Sequence, residues 1–372
     1  MNHKVNGNWM LRAAALLCLM AGAAQAAHKT ENVVLIVSDG LRWQEVFTGA
    51  EAALLVDEGP GGNWAKEDEL LKLWWSDDPA DRRQKVMPFL CGTMARDGQV
   101  FGNQLKGSVA QVTNGKAFSY PGYNEMTTGY PNPYITTNHY GPNPNKTVFE
   151  WLNDKPAYHG KVAVFGTWDA YHDIFNVKRS HLPIQAGWDI PRKSGVAGKD
   201  ELLERLFTTT TRFDEEDTSN SLLQVPLLDY VKRERPRVLF VGYGETDNWA
   251  HQGRYDLVLE SAHRTDGFVR ELWETMQAMP QYRGKTTFIF TCDHGRGSGP
   301  IDWLEHGVKQ KGSENIWIAV MGPDTPARGE RVQAAPVKQA QIAATIAALL
   351  GEDYPASVPQ AATPLAEVLP AD

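Results

Sequence analysis

Five short runs of apolar, β-prone residues recur along this chain, and each ends at a turn residue. They are Val33–Ser38 (then Asp39-Gly40), Lys161–Phe165 (then Gly166), Val238–Val241 (then Gly242), Thr286–Thr291 (then Cys292-Asp293-His294) and Ile316–Met321 (then Gly322-Pro323). A strand with one wet face alternates polar and apolar residues. These runs do not, so they read as parallel strands buried on both faces. Helical periodicity fills the intervals, notably over Asp256–Met279 and over Lys338–Leu350, where Gly351 supplies a stop. Strands and helices in alternation predict an α/β fold: a three-layer α/β/α sandwich around a mostly parallel central sheet.

Two stretches break the alternation. Residues 51–85 are charged and carry Trp64, Trp74 and Trp75, and residues 208–221, inside a longer span 172–235, are polar and acidic. Both read as insertions or lids over the sheet edge. No internal repeat or low-complexity segment is present.

The first residues have a different character. Lys4 and Arg12 precede the apolar run Ala13–Ala24, which is too short to span a bilayer, and Ala24-Gln25-Ala26 follows. This is the pattern of an export signal over residues 1–26, with cleavage after Ala26. The mature protein is therefore expected to be periplasmic or secreted, with no membrane span. Of three cysteines, Cys18 leaves with the signal; Cys91 and Cys292 remain, either paired or as buried free thiols. Acidic residues outnumber basic ones, 45 to 37, which argues against a nucleic-acid partner, since that role needs a basic surface.

The chemistry-bearing residues gather at strand ends. Asp39 follows the first run. Asp247 and His251, spaced one helical turn apart, follow the third; Asp293 and His294 follow the fourth, and His306 comes twelve residues later. In open α/β sheets the ligand site lies outside the carboxyl ends of the strands. Carboxylates with imidazoles, and no thiolate, suit Zn²⁺ or Mn²⁺. His28, His139, His159, His172, His181 and His263 show no such clustering and read as structural.

Ser119, in Ser119-Tyr120-Pro121-Gly122-Tyr123, is the candidate nucleophile. Proline shortly after it suits the first turn of a helix, whose N-terminus favours an anion. A serine hydroxyl is a weak nucleophile until its proton is removed, and a nearby metal ion achieves that without a histidine base.

These blocks resemble the alkaline phosphatase superfamily, most closely its nucleotide pyrophosphatase/phosphodiesterase-like and phosphoglyceromutase-like branches. The resemblance rests on residues 33–42 (VVLIVSDGLR), 117–131 (AFSYPGYNEMTTGYP), 244–253 (GETDNWAHQG), 290–297 (FTCDHGRG), 305–307 (EHG) and 346–355 (IAALLGEDYP), in the superfamily's order. It implies a single alkaline-phosphatase-like catalytic α/β/α domain over residues 27–372, holding two divalent metals, usually zinc. Carried over by motif, Asp39, Ser119, Asp293 and His294 would hold one metal, and Asp247, His251 and His306 the other. Ser119 would attack a small phosphorylated substrate to give a phosphoserine, which is then hydrolysed.

The departures bear on substrate. Phosphodiesterase-type relatives carry Thr in a T-F-P pattern where this chain has S-Y-P, which favours a monoester over a diester. Sulfatases need an Arg where this chain has Tyr123. A phosphodiesterase using the same residues is the alternative, followed by a sulfatase-like hydrolase or a non-catalytic phospho-ligand binder. Asn114 and Arg296 are the candidate substrate contacts, with Arg42 and Lys116 behind them. Tyr130, Tyr134, Tyr140, Trp168 and Tyr171 are candidates to line a leaving-group pocket.

Overall fold

The computed structural model describes Met1, residues 28–196 and residues 198–370. The export signal expected over residues 1–26 lies, Met1 apart, outside the described residues. Among the described residues no helix is long and apolar enough to cross a membrane.

The described residues form ten strands: β1 (Asn32–Ser38), β2 (Gln99–Phe101), β3 (Ala110–Gln111), β4 (Val162–Gly166), β5 (Ile184–Ala186), β6 (Val238–Tyr243), β7 (Thr286–Thr291), β8 (Ile318–Met321), β9 (Gly329–Glu330) and β10 (Val337–Lys338). Eight form one sheet in the order β5-β4-β6-β1-β7-β8-β2-β9, and β3 pairs with β10 apart from it. At the centre, Ile36 of β1 lies beside Val241 of β6 and Phe290 of β7, all running parallel. Every residue of β1, β6 and β7 is buried, which accounts for their unbroken apolar character.

The two faces of the sheet can be read from one strand. On β6, Phe240 packs against Phe149, Tyr171 and Phe175, whereas Tyr243 meets Phe268 and bonds Gln224. Positions three apart on a strand point to opposite sides. One layer therefore contains helices Ser119–Thr128, Val148–Asn153 and Gln341–Leu349, and the other helices Asn220–Glu234 and Tyr255–Ala278.

Two expectations are corrected here. β8, read as parallel, runs antiparallel to both β7 and β2. A continuous apolar run reports burial on both faces, and β8 has that burial inside the sheet whichever way it runs. The span 172–235, expected to hold an insertion, supplies part of the layers themselves: β5 extends the central sheet and helix Asn220–Glu234 covers it. Residues 51–85 fold into a short 3₁₀ turn and helices Glu67–Trp74 and Pro79–Val86, and Trp64, Leu70 and Trp74 sit against the Tyr255–Ala278 helix. Cys91 and Cys292 are both free thiols.

Candidate active site

Three adjacent parallel strands deliver the polar cluster. β6, β1 and β7 end side by side, and the chain beyond each end carries Asp247 with His251, Asp39, and Asp293 with His294. His294 stands at the centre and is fully buried. Its Nδ1 is 2.8 Å from the Gly295 carbonyl, which leaves Nε2 turned to the carboxylates. That Nε2 is 3.4 Å from Asp39 Oδ1, 3.4 Å from Asp293 Oδ2 and 3.9 Å from Asp247 Oδ1. On the other side, His251 Nε2 is 3.2 Å from Asp247 Oδ2 and 3.0 Å from His306 Nε2. Ser119 Oγ lies 3.3 Å from His294 Nε2. The structure thus brings together all seven residues singled out as metal ligands.

Close backbone approach makes this convergence possible. Gly40, directly after Asp39, has φ +59°, and a Cβ there would lie 2.3 Å from Asp247 Oδ1. Gly122 packs the first turn of the Ser119 helix onto the end of β7, where a Cβ would lie 2.5 Å from the Asp293 carbonyl oxygen.

Ser119 is the first residue of its helix, and the cap position belongs to Phe118. Its hydroxyl is therefore not consumed by capping and is turned to the carboxylate and imidazole cluster instead.

Two carboxylates each present one satisfied and one unsatisfied oxygen. Asp39 Oδ2 accepts from Tyr123 Oη at 2.8 Å, and Asp293 Oδ1 accepts from the Gly40 N–H at 3.0 Å. Asp39 Oδ1 and Asp293 Oδ2 are buried with no hydrogen-bond partner. Buried carboxylate oxygens are rarely left without a partner. A cation between them and His294 supplies one, so the residues fit a divalent metal. Two groups of ligand atoms come within 4.8 Å of one another, Asp39 with Asp293 and His294, and Asp247 with His294 and His306.

Asp293 and His294 show the same demand for positive charge, whereas Asp247 and His306 shift the other way. Burial, reinforced by Asp39, pushes the Asp293 carboxyl well above the usual range. Burial opposes protonation of His294, but Asp293, Asp39 and Asp247 override it and hold the ring up to about 9. Burial and the neighbouring His294 push His306 down to about 2. Asp247 is held well below the usual range: burial opposes this, and Arg296 and His251 outweigh it.

The expected substrate contacts are corrected. Arg296 is buried, with Nη1 bonded to Asp247 and Nε 2.9 Å from the Trp303 carbonyl, so its fork holds a candidate ligand in place. Asn114 is bonded within the loop before Ser119, through Glu125, Lys116 and Ala117. Arg42 is buried against Glu45 and Glu51. Lys116 sits beside Asn114, its N–H bonded there. Of the aromatic group only Trp168 faces Ser119. Tyr171 is buried in the core, Tyr140 packs on Tyr120, and Tyr134 is exposed. Tyr130 offers its carbonyl to Asn124.

Other residues close the site. A cavity of about 190 Å³ includes Ser119, Asp39, Asp247, His251 and His306, and is walled also by Asn138, His139, Trp168, Glu216, Asp217 and Asn248. Trp168 Nε1 donates to Glu216 Oε2 at 3.0 Å, and His139 Nδ1 is 3.8 Å from Glu216 Oε1. His139, read as structural, is thus at the rim. Glu216 and Asp217 come from the acidic stretch 208–221, which does reach the site. No lining residue of this cavity comes from 51–85. A second cavity of about 400 Å³ shares Asn138, His139 and Glu216 with the first and adds Asp169, His172 and Asp173.

No protein-family profile matches the chain, and no curated protein matches it significantly. Solved structures do. The alkaline phosphatase PafA is 11% identical with a TM-score of 0.58, over 91% of this chain and 99% of that one. The chain shares its fold with this alkaline phosphatase. A putative sulfatase from Bacteroides thetaiotaomicron is 13% identical with a TM-score of 0.57, over 91% of this chain and 74% of that one. The lipoteichoic acid synthase LtaP from Listeria monocytogenes is 13% identical with a TM-score of 0.54, over 88% and 73%. At these identities the likeness concerns the fold.

Proposed function

We propose that this chain is an exported hydrolase of phosphoric ester bonds that uses Ser119 as its nucleophile and two divalent cations, zinc foremost and manganese as the other option. The observation that carries this reading is the position of Ser119 Oγ, free of any capping role and 3.3 Å from His294 Nε2 among three carboxylates. Asp39, Asp293 and His294 with Ser119 would hold one cation, and Asp247, His251 and His306 the other. When bound, the cations act as Lewis acids that favour the serine alkoxide and neutralise charge on the phosphoryl oxygens.

The chain's own residues supply the rest. Ser119 forms the Oγ–P bond as the bond from phosphorus to the leaving oxygen breaks, and the departing alcohol gains a proton. Water then cleaves the Oγ–P bond, releasing phosphate and restoring the hydroxyl. Arg296 holds Asp247, while Asn138, His139, Trp168 and Glu216 surround the leaving group.

The test is a rate comparison on residues 27–372, loaded with zinc, between a nitrophenyl phosphate monoester and the matching diester. Ser119→Ala should abolish turnover and keep the metal, whereas Asp293→Ala should lose both. Full turnover by Ser119→Ala would remove the covalent mechanism. Faster cleavage of the diester would place the chain with phosphodiesterases, the reading that shares these residues. Sulfatase chemistry through formylglycine is disfavoured because Tyr123 holds the position where that maturation needs Arg. A small phosphorylated molecule, with no nucleic acid, is the partner this reading requires.

A further inference from the structure

The turn that leads into Ser119 is held in an unfavourable backbone conformation. Ala117, two residues before it, has φ +52°, a region that residues with a Cβ rarely occupy. Such a conformation persists only where neighbouring groups over-determine it.

Those groups form a short chain of bonds. Asn114 Oδ1 accepts from the Lys116 N–H at 2.8 Å and from the Ala117 N–H at 2.9 Å, fixing the turn from inside. Asn114 Nδ2 in turn donates to Glu125 Oε2 at 3.0 Å. The same carboxylate accepts the Thr113 N–H on both oxygens at 2.9 Å, and Thr113 Oγ1 at 2.7 Å. Glu125 is fully buried, and these neutral donors, rather than a Lys or Arg, are what face its carboxylate. It belongs to the helix that Ser119 begins, so it ties the rigid helix to the loop that precedes it.

We propose that Glu125 is a positioning residue for Ser119, acting through Asn114 to hold the strained turn at Ala117. It touches neither substrate nor the reacting atoms. The inference rests on the reading of Ser119 as nucleophile.

Glu125→Gln keeps the volume but replaces one acceptor oxygen with a donor, so at least one of the facing N–H groups loses its partner. Small displacements of a reacting group are costly to rate, and kcat should fall by about 10- to 100-fold with KM and bound metal unchanged. Adding Ala117→Gly should restore part of that kcat, because glycine takes the same φ without strain. A merely structural role would lower melting temperature and metal content together, with no rescue from position 117.

The experiment measures three things on the parent, Glu125→Gln and Glu125→Gln/Ala117→Gly. These are steady-state kinetics on a nitrophenyl phosphate ester, metal content, and hydrogen exchange at the Lys116 and Ala117 amides. Lower kcat with faster exchange at those amides, both reversed in part by glycine, supports the inference. Parent-like kcat in Glu125→Gln overturns it. If Glu125→Gln does not fold, Asn114→Ala removes the same bonds to Lys116 and Ala117 and carries the same expectations. If the parent itself cleaves no ester and Ser119 gains no phosphate, the hydrolase reading falls. Hydrogen exchange then still decides whether Glu125 holds the turn: faster exchange supports it, and unchanged exchange overturns it.

Discussion

The Tyr123 hydroxyl donates to Asp39 Oδ2 at 2.8 Å and receives the Tyr171 hydroxyl at 2.7 Å. A tyrosine on the Ser119–Thr128 helix thus orients a carboxylate at the end of the central strand, and a second tyrosine orients the first. Outer partners of this kind commonly set metal affinity, and their loss weakens it about 10- to 100-fold. Tyr123→Phe should therefore bind zinc more weakly by that factor while remaining folded. A competition titration against a chromophoric chelator measures it, and an affinity equal to the parent's would show that Asp39 needs no such support.

Phe240 lies beneath that tyrosine pair. Its ring centroid is 4.9 Å from that of Phe175, 5.2 Å from Tyr171 and 6.0 Å from Tyr123. Phe240→Ala opens a void at the junction of sheet and helix layer and should cost about 3–5 kcal/mol of stability. Urea unfolding at fixed metal concentration checks this. A loss well under 1 kcal/mol would mean that the aromatic layer collapses to fill the gap.

Asp266 gives the molecule a pH-dependent stability away from the site. It is buried and accepts the Phe89 and Leu90 N–H groups at 2.7 and 2.8 Å. Burial raises its carboxyl to about 7, against those hydrogen bonds. Between an unfolded value of ~4 and that folded value, the native state binds a proton that the unfolded chain has released. Stability from this group is therefore present below pH ~4 and falls as pH rises towards about 7. Asp266→Asn should flatten the difference across that window when denaturation curves are compared from pH 4 to 8. An unchanged slope would show that the carboxylate stays ionised.

Carboxyl groups predominate in the walls around Ser119. The two neighbouring cavities are lined by Asp169, Asp173, Glu216 and Asp217, with histidines but neither Lys nor Arg among their lining residues. An ester whose leaving alcohol bears a carboxylate should react more slowly than its neutral analogue, by about fivefold for ~1 kcal/mol of repulsion across a wet cavity. Glu216→Gln should narrow that ratio and leave metal content alone. Equal ratios in the two proteins would show that the leaving group departs elsewhere.

The strand ends were readable in the sequence because the central strands are buried on both faces and announce themselves as unbroken apolar runs. Asp39, Asp247, Asp293 and His294 follow directly from that. The direction of β8 was not readable, since burial does not encode polarity of pairing. Arg296 bonds Asp247, and Asn114 bonds Glu125 and its own loop. A side chain two residues from a ligand can face substrate or the ligand itself, and only the completed fold decides which. His139 and Glu216 left no local signal, because a lone His and an acidic loop look the same whether or not the topology folds them towards Ser119.

The helix that Ser119 begins, Ser119–Thr128, has all ten of its residues buried. Such a segment has no solvent-facing position at which substitution is free. Over evolutionary time it should diverge more slowly than the helices around it, Glu125 and Gly122 included. In distant descendants of this chain, these ten residues would remain the most durable mark of common origin.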